Sequence, residues 1–100
     1  MTQAGYYSAT LTYLNAVKVA GTTDADKVMN ELHKTKIDDM FTDNGVIRVD
    51  GLMQHDMYVM QVKKPSESKY AWDYYHVVTK IPGEQAFGEL ADSTCPLLKK

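Results

Sequence analysis

The stretch Met57-Tyr58-Val59-Met60-Gln61-Val62 decides the fold class. Six nearly unbroken apolar residues are too few for a helix and carry no polar alternation, so they read as a strand covered on both faces. Downstream, Lys63 to Lys69 is a polar connection containing Pro65. It leads into Trp72-Asp73-Tyr74-Tyr75-His76-Val77-Val78-Thr79-Lys80-Ile81, whose aromatic and β-branched residues suit a second strand. So short a link allows only an antiparallel pair. Pro82-Gly83 ends the strand, and Glu84 to Leu90 suits one helical turn.

Upstream, Asp43-Asn44-Gly45 and Asp50-Gly51 are turn signals bracketing a short β-branched strand, Val46-Ile47-Arg48-Val49. Before them the period changes. From Tyr6 to Ala20, residues at helical spacing form two adjoining rows, Tyr7, Leu11, Leu14 and Val17 or Lys18, and Tyr6, Ala9, Tyr13, Ala16 and Ala20. So broad a stripe predicts packing on more than one side. Gly21 supplies a left-handed stop, Thr23 a cap, and Ala25, Val28, Met29 and Leu32 the apolar face of a second helix ending near Lys34. Its other face, Lys27, Asn30, Glu31 and Lys34, is expected in solvent.

The expected order is therefore α-α-β-β-β, an α/β arrangement. Two helices and three strands cannot bury a two-faced apolar strand by themselves, so the pattern reads as part of a larger body. One hundred residues allow one domain at most.

Charge and motif content exclude several functions. A net charge of −2, with acidic and basic residues scattered, gives no cationic face for nucleic acid. Lys63-Lys64 and Lys99-Lys100 read as solvated turn and tail lysines, and Asp38-Asp39 as a solvated loop. No apolar run is long enough for a bilayer span, and Met1 to Gly5 lacks the pattern of a secretion signal. That leaves either a cytoplasmic protein or one whose leader lies outside this sequence. The single Cys95 cannot close an internal disulfide; it reads as an inert thiol or half of a bridge to a cysteine elsewhere.

The six glycines form no phosphate-binding loop, and Ser8, Ser66, Ser68 and Ser93 lack the flanking residues of an activated nucleophile. His33, His55 and His76 with Asp56 have no metal-ligand spacing. Catalysis, cofactor and metal are accordingly not expected. The more informative feature is aromatic, with seven tyrosines and one tryptophan, of which five tyrosines and the tryptophan gather as Tyr6-Tyr7-Tyr13 and Trp72-Tyr74-Tyr75. Tyrosine joins apolar area to a hydroxyl, which suits pockets for small polar or aromatic ligands. Tyr6 and Tyr7 are expected where a helix opens and free amide donors are available. Trp72, Tyr74 and Tyr75 suit core and sheet packing.

Several segments resemble the ABC-transporter solute-binding proteins of the branched-chain amino acid type, which have the type I periplasmic fold. Gln3-Ala4-Gly5-Tyr6-Tyr7-Ser8-Ala9 resembles that family's Tyr-x-Ala helix opening, and Ala20-Gly21-Thr22-Thr23-Asp24 its following break. Gly45-Val46-Ile47-Arg48-Val49-Asp50-Gly51 is similar to a segment near the last interlobe crossing. Trp72 to Val78, Ile81-Pro82-Gly83-Glu84 and Cys95-Pro96-Leu97 resemble a branch assigned to amides, short-chain carboxylates or aromatic acids.

The resemblance implies two α/β lobes closing on a small-molecule solute, which passes to a membrane permease, and hence a periplasmic parent protein. It implies that this chain is the C-terminal part, with residues 1–44 in the first lobe, 45–56 at the hinge crossing and 57–100 in the second lobe. It places Gln3, Ala4, Tyr6 and Tyr7 at the ligand cleft and Asp50 and Gly51 near the hinge. A homo-oligomer that covers the exposed sheet is expected for such a piece. The alternative reading is a stand-alone α+β module acting through protein contact, with Trp72, Tyr74 and Tyr75 as an interface patch.

Overall fold

The computed structural model describes residues 2–96 and 98; Leu97 of the Cys95-Pro96-Leu97 motif and the Lys99-Lys100 pair lie outside the described residues. Helix α1 runs Thr2–Ala20 and α2 runs Ala25–Lys34. Strands β1 (Lys36–Ile37), β2 (Gly45–Ile47) and β3 (Met53–Gln54) form an antiparallel sheet in that order. Strands β4 (Met57–Val62) and β5 (Tyr75–Ile81) form a separate antiparallel ribbon. One turn of helix, α3 (Gly83–Ala86), and a 3-10 turn at Leu90–Asp92 follow, in place of a single turn over Glu84 to Leu90.

The α-α-β order and the long antiparallel pair match expectation. Two strands were not expected, because β1 and β3 have two residues each and so cannot display a period. The expected strand at 46–49 ends at Ile47, since Arg48 N donates to Leu52 O and Gly51 N to Arg48 O, turning the chain back into β3. The last strand begins at Tyr75 and not at Trp72, because Trp72 has φ 73 and Tyr74 N donates to Trp72 O in a tight turn.

Helix α1 buries a face other than the expected one. Its buried residues are Ser8, Thr12 and Ala16, spaced at i, i+4, i+8, while Tyr6, Tyr7, Tyr13 and Leu14 are exposed. Small side chains let another backbone come close, and α2 is the helix packed against α1. Of the two expected rows only Ala16 is buried, and the tyrosines stay exposed. Packing on more than one side is not found among the described residues.

Gly21, at φ 64, stops α1 as expected. The cap of α2 is Asp24, one residue later than expected: Asp24 Oδ1 accepts from Lys27 N at 3.2 Å, and Thr22 Oγ1 accepts from Asp24 N. A carboxylate suits that position better than a hydroxyl because the helix dipole adds to the hydrogen bond.

The core lies between the helices and the three-stranded sheet, where Ala16, Val28 and Ile37 are buried. His33 Nδ1 donates to Ile47 O at 3.1 Å and ties α2 to β2. Asn44, at φ 63, turns the chain into β2, where a Cβ on the buried Gly45 would stand 2.8 Å from Thr42 Cγ2. Asp39 is not simply solvated. Its Oδ1 accepts from Phe41 N at 2.8 Å and Thr42 N at 3.2 Å, organising the turn between β1 and β2.

The ribbon contrasts with this core. All six residues of β4 are exposed, so the strand expected to be covered on both faces is bare. The molecule exposes 7915 Å2, where a compact monomer of its mass exposes about 5,700 Å2. Its radius of gyration is 16.9 Å, against about 13 Å for a compact chain of this length. The excess area is comparable to a complete protein interface.

Candidate functional site

Tyr6 and Tyr7 lie in the second turn of α1, not at its opening, so their amides are engaged within the helix and offer nothing to an anion. What they offer is side-chain surface. With Thr10, Leu11 and Leu14 they line an open, mainly apolar hollow of about 400 Å3 on the face opposite the Ser8-Thr12-Ala16 row. Tyr6 is 73% and Tyr7 53% exposed. Gln3, exposed, and Ala4, half-buried, sit one turn earlier and do not line the hollow. Such a surface can take an apolar or aromatic group and offer two phenolic hydroxyls.

Asp50 and Gly51 occupy the turn between β2 and β3, and Gly51 has φ 80. Arg48 fixes this turn. Its Nε and Nη2 engage both oxygens of Asp50, its Nη1 donates to Gly88 O at 2.7 Å, and Asp50 Oδ1 accepts from Leu52 N. The Arg48 hydrogen bond holds Asp50 below the usual carboxylate range, and the same bond raises Arg48. Because this turn returns the chain to the same sheet, the passage into the ribbon falls later, at His55 and Asp56.

That junction is tightly built and was not anticipated. The His55 ring stands edge-on to Phe41 at 4.9 Å and to Phe87 at 5.4 Å, and its Nδ1 donates to Asp56 O at 2.8 Å. Asp56 pairs with Lys80 Nζ at 2.6 Å and accepts from Gly83 N at 2.9 Å. Lys80, and next the Gly83 amide, lower Asp56; Asp56 in turn raises Lys80. A Cβ on Gly83 would stand 3.0 Å from both C and O of His55, so a larger residue would force that backbone to give by a few tenths of an ångström. The sequence signals were the Gly after Pro82 and an acid at the start of β4, each readable as simple punctuation.

The other histidines do not join His55. His33 bonds to β2, and His76 Nε2 lies 3.8 Å from Glu67. Among the described residues, no three His, Cys, Asp or Glu side chains are placed to hold a metal. No helix among them is long and apolar enough to cross a membrane. Cys95 is exposed and free. Lys63, expected in solvent, is instead largely buried in an ion pair with Asp73, whose carboxylate it holds low.

Residues 1–69 match the family described as periplasmic binding protein. Among solved structures, the chain is similar to a periplasmic binding protein from Burkholderia mallei, with 60% identity over 93% of this chain, 24% of that one, and a TM-score of 0.86. It is also similar to a branched chain amino acid ABC transporter periplasmic ligand-binding protein from Burkholderia xenovorans, with 48% identity over 94% of this chain, 25% of that one, and a TM-score of 0.88. Among curated proteins, none matches. The chain thus spans about a quarter of the length of the solved structures that it resembles.

Proposed function

Because the chain belongs to the periplasmic binding protein family, we propose that it serves extracytoplasmic capture of a small solute for an ABC transporter. The solute class is an amino acid, an amide or a small carboxylic or aromatic acid. The observation that carries this reading is the orientation of α1. Packing through Ser8, Thr12 and Ala16 leaves Tyr6 and Tyr7 outward, lining an apolar hollow of a size suited to a small organic molecule. The branched chain amino acid description of a 48%-identical structure supports the same solute class.

In this reading, residues 1–44 belong to one lobe and residues 57–100 to the other, with Gln3 and Ala4 at the rim beside the two tyrosines. The crossing lies within 45–56. Asp50 and Gly51 lie in its first turn, while His55 and Asp56 carry the passage into the ribbon. The membrane permease of the transporter is the partner that receives the solute. The bare ribbon and the excess exposed area support a further contact that covers the sheet, either with additional polypeptide or with a second copy.

Calorimetric titration of the protein with leucine, valine, propionamide, butyrate and benzoate tests the reading. Saturable heat is expected with at least one of them, weakened by Tyr6→Ala or Tyr7→Ala. Silence across the panel, or binding indifferent to both substitutions, would remove the tyrosine face from the account.

A further inference from the structure

Backbone strain, aromatic exposure and positive charge coincide in the connection between β4 and β5. Its base is rigid. Lys63 N donates to Tyr74 O at 2.8 Å, and the Lys63–Asp73 ion pair closes beneath it, with side chains only 13% and 9% exposed. Lys69 N donates to Asp73 Oδ2 at 3.0 Å, and Lys64 N to Glu67 Oε2 at 2.7 Å across a 3-10 turn, Pro65–Glu67. On this base Tyr70 and Trp72 project, 70% and 80% exposed, and Tyr74 is half exposed beside them.

Trp72 holds a left-handed φ of 73, which side chains larger than glycine avoid. Its ring meets Tyr74 edge-on at 6.1 Å, and Tyr74 meets Tyr75 at 6.4 Å. Beside the aromatics lies an open cavity of about 330 Å3, lined by Lys63, Lys64, Pro65, Ser68, Asp73 and Tyr74. Lys64 and Lys69 form no ion pair among the described residues. The segment carries three lysines against Glu67 and Asp73, so it is locally positive on a chain of net charge −2.

We propose that this tip docks on an anionic phospholipid surface. Lys64 and Lys69 meet the phosphodiester headgroups, and Tyr70 and Trp72 settle into the interfacial layer. Tryptophan and tyrosine are enriched at membrane–water boundaries because one end of each ring system is apolar and the other wet. Lysine is depleted at the buried centre of protein interfaces, which disfavours a protein partner for this mixture. The contact is peripheral and stands independently of solute capture. It gives the strained Trp72 backbone a use, since the strain aims an indole outward from a rigid base.

The single tryptophan reports directly. With the full chain and phosphatidylcholine vesicles containing phosphatidylglycerol, Trp72 emission is expected to shift to the blue and the chain to co-sediment, both diminishing with added salt. Each lysine near such a surface contributes roughly fivefold in binding, so Lys64→Glu should weaken co-sedimentation by at least that factor. Tyr70→Ser/Trp72→Ser should abolish most of it. The proposal fails if emission is unchanged, if pure phosphatidylcholine binds equally, or if the double variant sediments like the unaltered chain, which would place the contact on the bare ribbon. An equal shift with soluble glycerol phosphate would reduce the site to a free-anion pocket. A shift that depends on protein concentration alone would assign the tip to protein contact; both outcomes overturn the lipid assignment.

Discussion

Replacing Gly83 by alanine should loosen the junction between the sheet and the C-terminal segment, and the structure says by how much. Gly83 is buried at the start of α3 with a helical backbone, so alanine incurs no conformational strain there. Contact alone decides. The new Cβ would stand 3.0 Å from His55 C, 3.0 Å from His55 O and 3.2 Å from His55 N, and backbone atoms cannot swing aside as a side chain would. The neighbouring backbone must give by a few tenths of an ångström, and overpacking of this kind costs about 1–3 kcal/mol. The same movement stretches the 2.9 Å bond from Gly83 N to Asp56. Alanine recovers about 0.4–1 kcal/mol by restricting the unfolded chain, so the net loss lies between about 0 and 2.6 kcal/mol. For a chain of this size that lowers Tm by up to roughly 20 °C. Gly88 supplies the control, because nothing lies within 4 Å of a Cβ there and its carbonyl still accepts from Arg48. Gly88→Ala should be neutral or slightly stabilising. Thermal and urea unfolding followed by circular dichroism would decide, and a Gly83→Ala variant as stable as Gly88→Ala would refute the close-approach reasoning.

Other perturbations follow from the same contacts. Asp56 lies low and Lys80 high because each is the other's partner. Their pairing therefore supports the fold fully between the ordinary aspartate value of 3.8 and the ordinary lysine value of 10.5. It weakens as pH falls below the first, when the carboxylate protonates, and as pH rises past the second, when the ammonium loses its proton. Asp56→Asn should flatten both limbs of a stability–pH profile, and an unchanged profile would contradict the pairing. Ser8→Leu should disrupt the packing of α1 beside Asp39 by about 1–3 kcal/mol of overpacking, whereas the nearby exposed Leu14→Ser should change stability little; equal effects would mean that α1 buries its apolar rows after all. Asp24→Ala should cost about 1 kcal/mol through loss of the α2 cap, and Thr23→Ala almost nothing, as read by urea midpoints.

Turns and the long ribbon were legible in the sequence because their signals are local. Gly21, Asn44-Gly45 and Gly51 each answer a need for unusual backbone, and the apolar density of Met57 to Val62 has no alternative as a helix. The packing of α1 was not legible. Hydrophobic rows predict which residues avoid water in the whole protein, whereas the contact present here is chosen by small side chains, Ser8, Thr12 and Ala16, that let a backbone approach. The same cause explains the bare ribbon: a strand can be written for two covers while the described residues supply neither. The Asp39 turn was misread for a different reason. Adjacent carboxylates look solvated until a fold brings amides to one of them: the carboxylate is raised by burial and lowered more by Ser8, Phe41 and Thr42, for a net downward shift. Neither Ser8 Oγ nor Asp39 Oδ2 completes a hydrogen bond of good geometry, so that contact remains partly electrostatic.

Solute capture by the tyrosine face of α1 is most directly tested by amide chemical-shift mapping during titration with the panel member that gives the largest calorimetric response. Saturable shifts concentrated between Gln3 and Leu14, and lost in Tyr7→Ala, are the predicted result. Shifts confined to the connection between β4 and β5, or to the His55–Gly83 junction, would contradict it.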